Sequence, residues 1–185
     1  MKLITTGVDV APMLAELDAQ PELWDQNPDR RLRYGTAHGE MTDIWLRARA
    51  RSEIDRQEAF NEPYWPVFYP AWTLLPSMHQ VVWGLMAITR AVQLGGVLIT
   101  RIPSGGRIQP HTDRGWHAEF FRTKFYVVLR GGPRCLNHEA GDVVNMRPGE
   151  VWQFLNTVEH GVENHDESER ISLIIALRAE ADEAR

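Results

Sequence analysis

From Val97 onward the chain is cut into short apolar runs separated by glycine, proline and polar residues: VLITRI, KFYVVL, DVVNM, VWQFL and RISLIIAL. Runs this short cannot build long helices, and their even spacing predicts an antiparallel sandwich or barrel over 96–178. A charged tail at 179–185 is expected to fray. The first 95 residues read as N-terminal helices, loops and supporting strands of the same single unit. A short strand is expected at Leu3 to Thr6, and Asp9 with Pro12 opens a helix through DVAPMLAELDAQ. TDIWLRA alternates as a strand. Ser77 is expected to cap a helix in which Val81, Leu85, Ile88 and Val92 form one stripe, closed by Gly95-Gly96. Between them NEPYWPVFYPAWTLLP, 61–76, holds four prolines and five aromatic residues in sixteen positions, which predicts an ordered loop packed over the core rather than a lid.

Composition narrows the partners. Lysine plus arginine is 20 against 25 acidic residues, a formal charge of −5 that favours no phosphate backbone. The basic clusters RLR at 31–33 and RARAR at 47–51 read as exposed faces. One cysteine cannot form an internal disulfide, and no apolar run approaches the roughly 18 to 20 residues that span a bilayer. The N-terminus lacks the apolar stretch of a signal peptide, so a reducing, cytoplasmic setting is expected.

The segment RIQPHTDRGWH, Arg107 to His117, is where chemistry concentrates. In an extended strand residues i and i+2 share a face about 6.5 to 7 Å apart, so His111 and Asp113 can close on one ion. An HxD triplet alone is a weak signal. His160, in NTVEHGVEN, is the candidate third ligand, after enough chain for several strands to run out and return. Two imidazoles and a carboxylate on one face suit Fe(II), because the opposite coordination positions stay open; zinc accepts the same set. Arg170 opens RISLIIAL after a turn through NHDES, and that strand would return toward the metal with Ser172 on the same face. A guanidinium there can hold the far carboxylate of a dicarboxylate in a two-pronged contact. His117 is expected in a rim turn, not on the metal. His138 and His165 read as solvated, His38 as uninformative, and His79 as packed or solvent-facing on its helix.

PHTD, VEHGVEN and ERISLI resemble the Fe(II)/2-oxoglutarate-dependent oxygenases, and within them the aspartyl/asparaginyl β-hydroxylase-like family. The similarity runs from about Val97 to Leu177 and is strongest in IPSGGRIQPHTD and PGEVWQFLNTVEHGVEN. It implies a mainly β chain with N-terminal and flanking helices around a double-stranded β-helix, the cupin-like jelly roll, with iron at the open end. It places His111, Asp113 and His160 on the metal and catalytic positions and Arg170 on the 2-oxoglutarate position, with Ser172 and Tyr126 expected beside the co-substrate. The family's arginine, intervening residue and histidine on the next strand are replaced here by Lys124-Phe125-Tyr126, which implies a substrate other than aspartate or asparagine.

Arg122, Lys124 and Tyr126 would share a strand face, with Lys124 and Tyr126 expected in the cavity and Phe125, Val127 and Leu129 on the core side. Lys124, Arg122 and Trp116 are the expected substrate contacts. The implied reaction consumes 2-oxoglutarate and O2, releases succinate and carbon dioxide, and hydroxylates an unactivated C–H bond of an amino acid or peptide-like small molecule. Two alternatives stand beside it. GDVVNMRPGE resembles part of the cupin pattern, whose first half His117 with Glu119 would complete, giving a metalloenzyme without 2-oxoglutarate; a non-catalytic ligand-binding jelly roll is the other.

Overall fold

The computed structural model describes the chain except residues 57, 58, 60 and 180–185, so the end of the expected charged tail lies outside the described residues. β1 (Lys2–Thr5) leads into α1 (Ala11–Asp18). The Asp9 carboxylate accepts a hydrogen bond from the Ala11 N–H at 3.0 Å, and Pro12 sits in the first turn, where its missing N–H leaves nothing unsatisfied. A short α2 (Asp29–Leu32) precedes β2 (Thr42–Ala48), the strand expected from TDIWLRA.

The aromatic segment is more ordered than a loop. It contains β3 (Val67–Phe68) and α3 (Pro70–Leu74), whose proline again stands at the helix start. In α4 (Ser77–Thr89) no side chain caps the N-terminus; Ser77 instead donates through its N–H and Oγ to the Glu16 carboxylate of α1. The buried stripe is Met78, Val82 and Leu85, while Ile88 is exposed. The helix stops at the left-handed Arg90, and β4 (Ala91–Ile102) follows at once, so Val92, Gly95 and Gly96 are strand residues. The glycines serve close packing instead of helix termination: a Cβ on Gly95 would lie 2.7 Å from the Phe121 ring, and one on Gly96 would lie 3.2 Å from His117 Nε2.

The remaining elements are β5 (Arg107–His111), α5 (Trp116–Phe120), β6 (Thr123–Arg130), β7 (Cys135–Glu139), β8 (Asp142–Val144), β9 (Val151–Phe154), β10 (His160–Asn164) and β11 (Arg170–Ala179). They form two antiparallel sheets, one ordered β1-β9-β6-β11-β4-β2-β3 and the other β5-β10-β7-β8. This is the expected double-stranded β-helix, with N-terminal strands enlarging one sheet.

The strand period of two divides the large sheet into two faces. Ile44, Leu46, Phe125, Val127, Leu173 and Ile175 point outward and pack with residues of α1 and α4 in the main core. The alternate residues face the small sheet, where the apolar clusters are smaller: Tyr126, Val128, Met146 and Phe154 form one, and Met41, Ile102, Ile108 and Val162 another. No helix among the described residues is long and apolar enough to cross a membrane.

Candidate metal centre

β5 and β10 pair so that His111 and His160 are direct partners across the ladder. The register shifts beside them, opposite Pro110, which has no N–H for the ladder. Gly161 permits this approach, since a Cβ there would lie 3.0 Å from the Ile108 carbonyl oxygen. The two imidazole rings come to 4.4 Å between centroids. Asp113 lies just past the end of β5 instead of within it, held by its backbone N–H, which donates to the carbonyl of the buried Asn156 at 3.0 Å. Its Oδ1 is 3.5 Å from His111 Nε2. One ligand atom from each of His111, Asp113 and His160 lies within 4.8 Å of the others.

The tautomers suit coordination. His111 Nδ1 faces the Gln109 carbonyl at 2.8 Å and His160 Nδ1 the Val158 carbonyl at 2.9 Å. A carbonyl only accepts, so each Nδ1 carries the proton and each Nε2 keeps its lone pair for a metal. Burial lowers the pKa of His160, which favours the neutral ligand form. Burial alone would raise the Asp113 carboxyl, but the Lys124 ammonium and the hydrogen bond it donates outweigh it and hold the group well below the usual carboxylate range. The Lys124 ammonium sits 2.5 Å from Asp113 Oδ2. The three groups are therefore an anion and two neutral donors, a composition that fits a divalent cation.

These residues open into a cavity of about 440 Å3, also lined by Lys124, Tyr126, Phe154 and Ile174. Arg170 is not on its wall; Tyr126 is, and the Arg170 guanidinium carbon lies 5.6 Å from the Tyr126 ring centroid. The return from β10 to β11 crosses from one sheet to the other. Asn164 pins that crossing: its Nδ2 donates to the Pro103 and Ser168 carbonyls at 2.9 and 2.8 Å, and its Oδ1 accepts from the Cys135 thiol and the Asp166 N–H. Arg170 is 1% exposed, yet its Nε and Nη2 have no partner, and neither does the buried Ser172 Oγ. Burial pushes the Arg170 guanidinium below its ordinary pKa and the Tyr126 hydroxyl up to about 12. A buried cation with idle donors, beside a hydroxyl that also lacks a partner, fits the carboxylate of a bound keto-acid.

Two expected substrate contacts lie elsewhere. β6 starts at Thr123, so its alternation does not reach Arg122, which is exposed and donates from Nε to the Glu119 carbonyl. Trp116 stacks on Phe120 and meets Trp65 edge-on, outside the cavity. Lys124 and Tyr126 do face inward. His117 lines the cavity but braces β4: its Nε2 accepts the Gly96 N–H at 3.1 Å, its ring stacks on Tyr64, and burial pushes its pKa to about 3. Glu119 is exposed, so the pair needed for the cupin alternative does not join the cluster.

Other residues at the site look uninformative or exposed in the sequence. The His38 ring lies 4.8 Å from that of His111, and burial with the nearby Arg30 holds its pKa well below the usual value. Arg33 from RLR and Arg47 and Arg49 from RARAR line the cavity. The signal for RARAR was alternation: with Trp45, the arginines at 47 and 49 occupy one face of β2 and its extension. His79 is packed, stacked on Trp72.

The sequence profile described as Aspartyl/Asparaginyl beta-hydroxylase matches residues 67–180. No curated protein matches the chain. Among solved structures, an oxidoreductase of the 2OG-Fe(II) oxygenase family from Burkholderia pseudomallei is similar over 91% of this chain and 78% of its own, with 18% identity and a TM-score of 0.56. A cupin domain from Bordetella pertussis is similar over 47% of this chain and 84% of its own, with 22% identity and a TM-score of 0.38. At 18% identity the likeness to the Burkholderia protein is one of fold.

Proposed function

The chain belongs to the aspartyl/asparaginyl β-hydroxylase family, and from that premise we propose that it is an Fe(II)- and 2-oxoglutarate-dependent dioxygenase that hydroxylates an unactivated C–H bond of an amino acid or peptide-like small molecule. The observation that carries this reading is Arg170, buried with idle donors next to Ser172, on the face of β11 that turns toward the metal ligands. A metal site alone would serve many chemistries; a second buried cation with idle donors, 5.6 Å from the ring of the cavity-lining Tyr126, suits a ligand with carboxylates at both ends.

His111, Asp113 and His160 would hold the ferrous ion, and Arg170, Ser172 and Tyr126 the far carboxylate of 2-oxoglutarate. When bound, the ion would activate O2, the oxidant: one oxygen atom would go to the keto-acid, oxidised to succinate and carbon dioxide, and the other to the substrate C–H bond. The protein's share is orientation. The Gln109 and Val158 carbonyls lock the imidazoles, and Asn156 fixes the backbone of Asp113. Phe154, Ile174 and Ala176 make part of the wall apolar, which limits water beside the reacting carbon. Lys124 neutralises Asp113 and stands where it can meet a substrate carboxylate. The free, buried Cys135 is in keeping with a reducing, cytoplasmic setting.

The test is succinate formation from 2-oxoglutarate by the iron-loaded protein, with O2 uptake followed in parallel. His160→Ala should abolish both while the folded circular-dichroism spectrum persists; normal succinate yield from that variant removes the metal assignment. Arg170→Ala should raise the 2-oxoglutarate requirement by the loss of a charged contact of about 1.5 to 3 kcal/mol. No O2 uptake by the loaded wild type with any amino-acid or peptide substrate would favour a non-catalytic binder.

A further inference from the structure

The wall of the cavity facing the metal ligands is built by residues of three stretches, 30–38, 45–49 and 61–64, ahead of the segment that matches the family profile. It is rich in hydrogen-bond donors that cannot accept. Among the described residues the cavity lining carries six cationic side chains, Arg30, Arg33, Arg47, Arg49, Arg114 and Lys124, and one carboxylate, Asp113. This is a local excess of positive charge in a chain whose formal charge is −5. A concave site lined by one sign of charge concentrates ligands of the other.

Two of these donors are buried and idle. Trp45, 4% exposed, lines the cavity with no partner for its indole Nε1, and Arg49, 7% exposed, has none for its Nε. An indole N–H and a guanidinium only donate, so the group that satisfies them must accept. Arg49 is otherwise held in place, with Nη2 donating to the Glu62 carbonyl at 2.6 Å and the guanidinium over the Tyr64 ring. Arg30 is anchored by the buried Asp43 at 2.7 Å, which Thr100 also grips. Burial and the neighbouring Arg30 hold Arg33 below its ordinary pKa, a repulsion that an anion would relieve. These donors stand apart from Arg170, which is outside the cavity lining and has Ser172 beside it in β11.

We propose that the substrate is a small anion whose carboxylate or phosphate docks on this N-terminal wall against Arg33, Arg49 and Trp45, a recognition site separate from the keto-acid anchor at Arg170. The inference rests on reading the cavity as the substrate side of a 2-oxoglutarate-dependent oxygenase. The wall decides which molecule is oxidised, and the metal ligands only how.

The test uses the full chain loaded with Mn(II), titrated calorimetrically with malonate, inorganic phosphate and the neutral malonamide, with and without saturating N-oxalylglycine to fill the keto-acid site. Malonate or phosphate should bind in both conditions, and the tighter of the two identifies the recognised group. Arg33→Gln and Trp45→Phe should each weaken that binding about tenfold while leaving the thermal shift caused by N-oxalylglycine intact. Trp45→Phe removes the N–H with the pyrrole half of the indole but keeps an aromatic side chain, and an intact N-oxalylglycine shift shows that the variant is still folded. Equal binding of malonamide, no binding of either anion, or unchanged affinity in both variants overturns the proposal. Failure of N-oxalylglycine to stabilise the wild type would sink the oxygenase reading by itself, while the titrations without it still decide the anion wall.

Discussion

The two faces of the large sheet are made by the same strands and held by the same ladders, yet they are opposite environments. On the outer face Phe125, Val127, Leu173 and Ile175 pack with Met13 and Leu17 of α1 and Met78, Val82 and Leu85 of α4. On the inner face the same two strands present Lys124, Tyr126, Arg170 and Ser172, with Arg170 and Ser172 keeping buried polar atoms without partners. The helices move the main core outside the sandwich. The interior, where a small β protein would normally place its apolar side chains, is thereby released to hold charge and idle donors, arrangements that lower stability wherever they stand.

The strongest way to break this contrast is to cut into each face of neighbouring strands. Phe125→Ala removes a ring 1% exposed from the outer core and should destabilise by about 3 to 5 kcal/mol in urea unfolding. A loss below about 1 kcal/mol would mean that the outer layer is not where stability resides. Arg170→Met on the inner face should act the other way, stabilising by about 1 to 3 kcal/mol as a buried cation with unmet donors is replaced by an apolar chain of similar length. That gain should come with lost 2-oxoglutarate binding. If the variant is strongly destabilised instead, Arg170 is structural and the inner face is an ordinary core.

This contrast also explains what could be read from the residues. RISLIIAL shows both faces of β11 at once, because its outer row is uniformly apolar and Arg170 and Ser172 interrupt the inner row. Arg170 was legible for the same reason, as a cation at the start of an apolar run, whereas His111, Asp113 and His160 were legible through the HxD spacing and the resemblance of PHTD and VEHGVEN to the family. RIQPH, CLNHE and HGVEN were not legible as strands, since the small sheet has little apolar core to cover and its residues carry no apolar alternation. Gly95-Gly96 looks like a helix terminator in the sequence, yet α4 stops earlier, at a left-handed arginine, and the glycines make room for Phe121 and His117. RLR and RARAR failed differently. The alternation in RARAR puts Arg47 and Arg49 on one face but does not say whether that face meets solvent or a cavity; the pairing of β2 with β4, which reaches Arg47, decides it.

His117 sharpens the contrast most finely, because it stands where the two environments meet. Its neutral ring accepts the Gly96 N–H and stacks on Tyr64, and burial puts its folded pKa at about 3 against an ordinary value of 6.5. Between those values the unfolded chain binds more protons than the folded one, so stability rises with pH; the contribution is complete above about pH 6.5 and is lost as pH falls toward about 3. For this one group the loss between pH 7 and pH 5.5 should be about 1 kcal/mol. His38 and His160, whose pKa values burial also lowers, act in the same direction and steepen the wild-type dependence. His117→Gln isolates the brace, since the amide oxygen can still accept from Gly96 but does not titrate. Urea midpoints at the two pH values should therefore draw closer together in His117→Gln than in the wild type. An identical separation would mean that the imidazole takes up its proton within the fold and that burial does not hold it neutral.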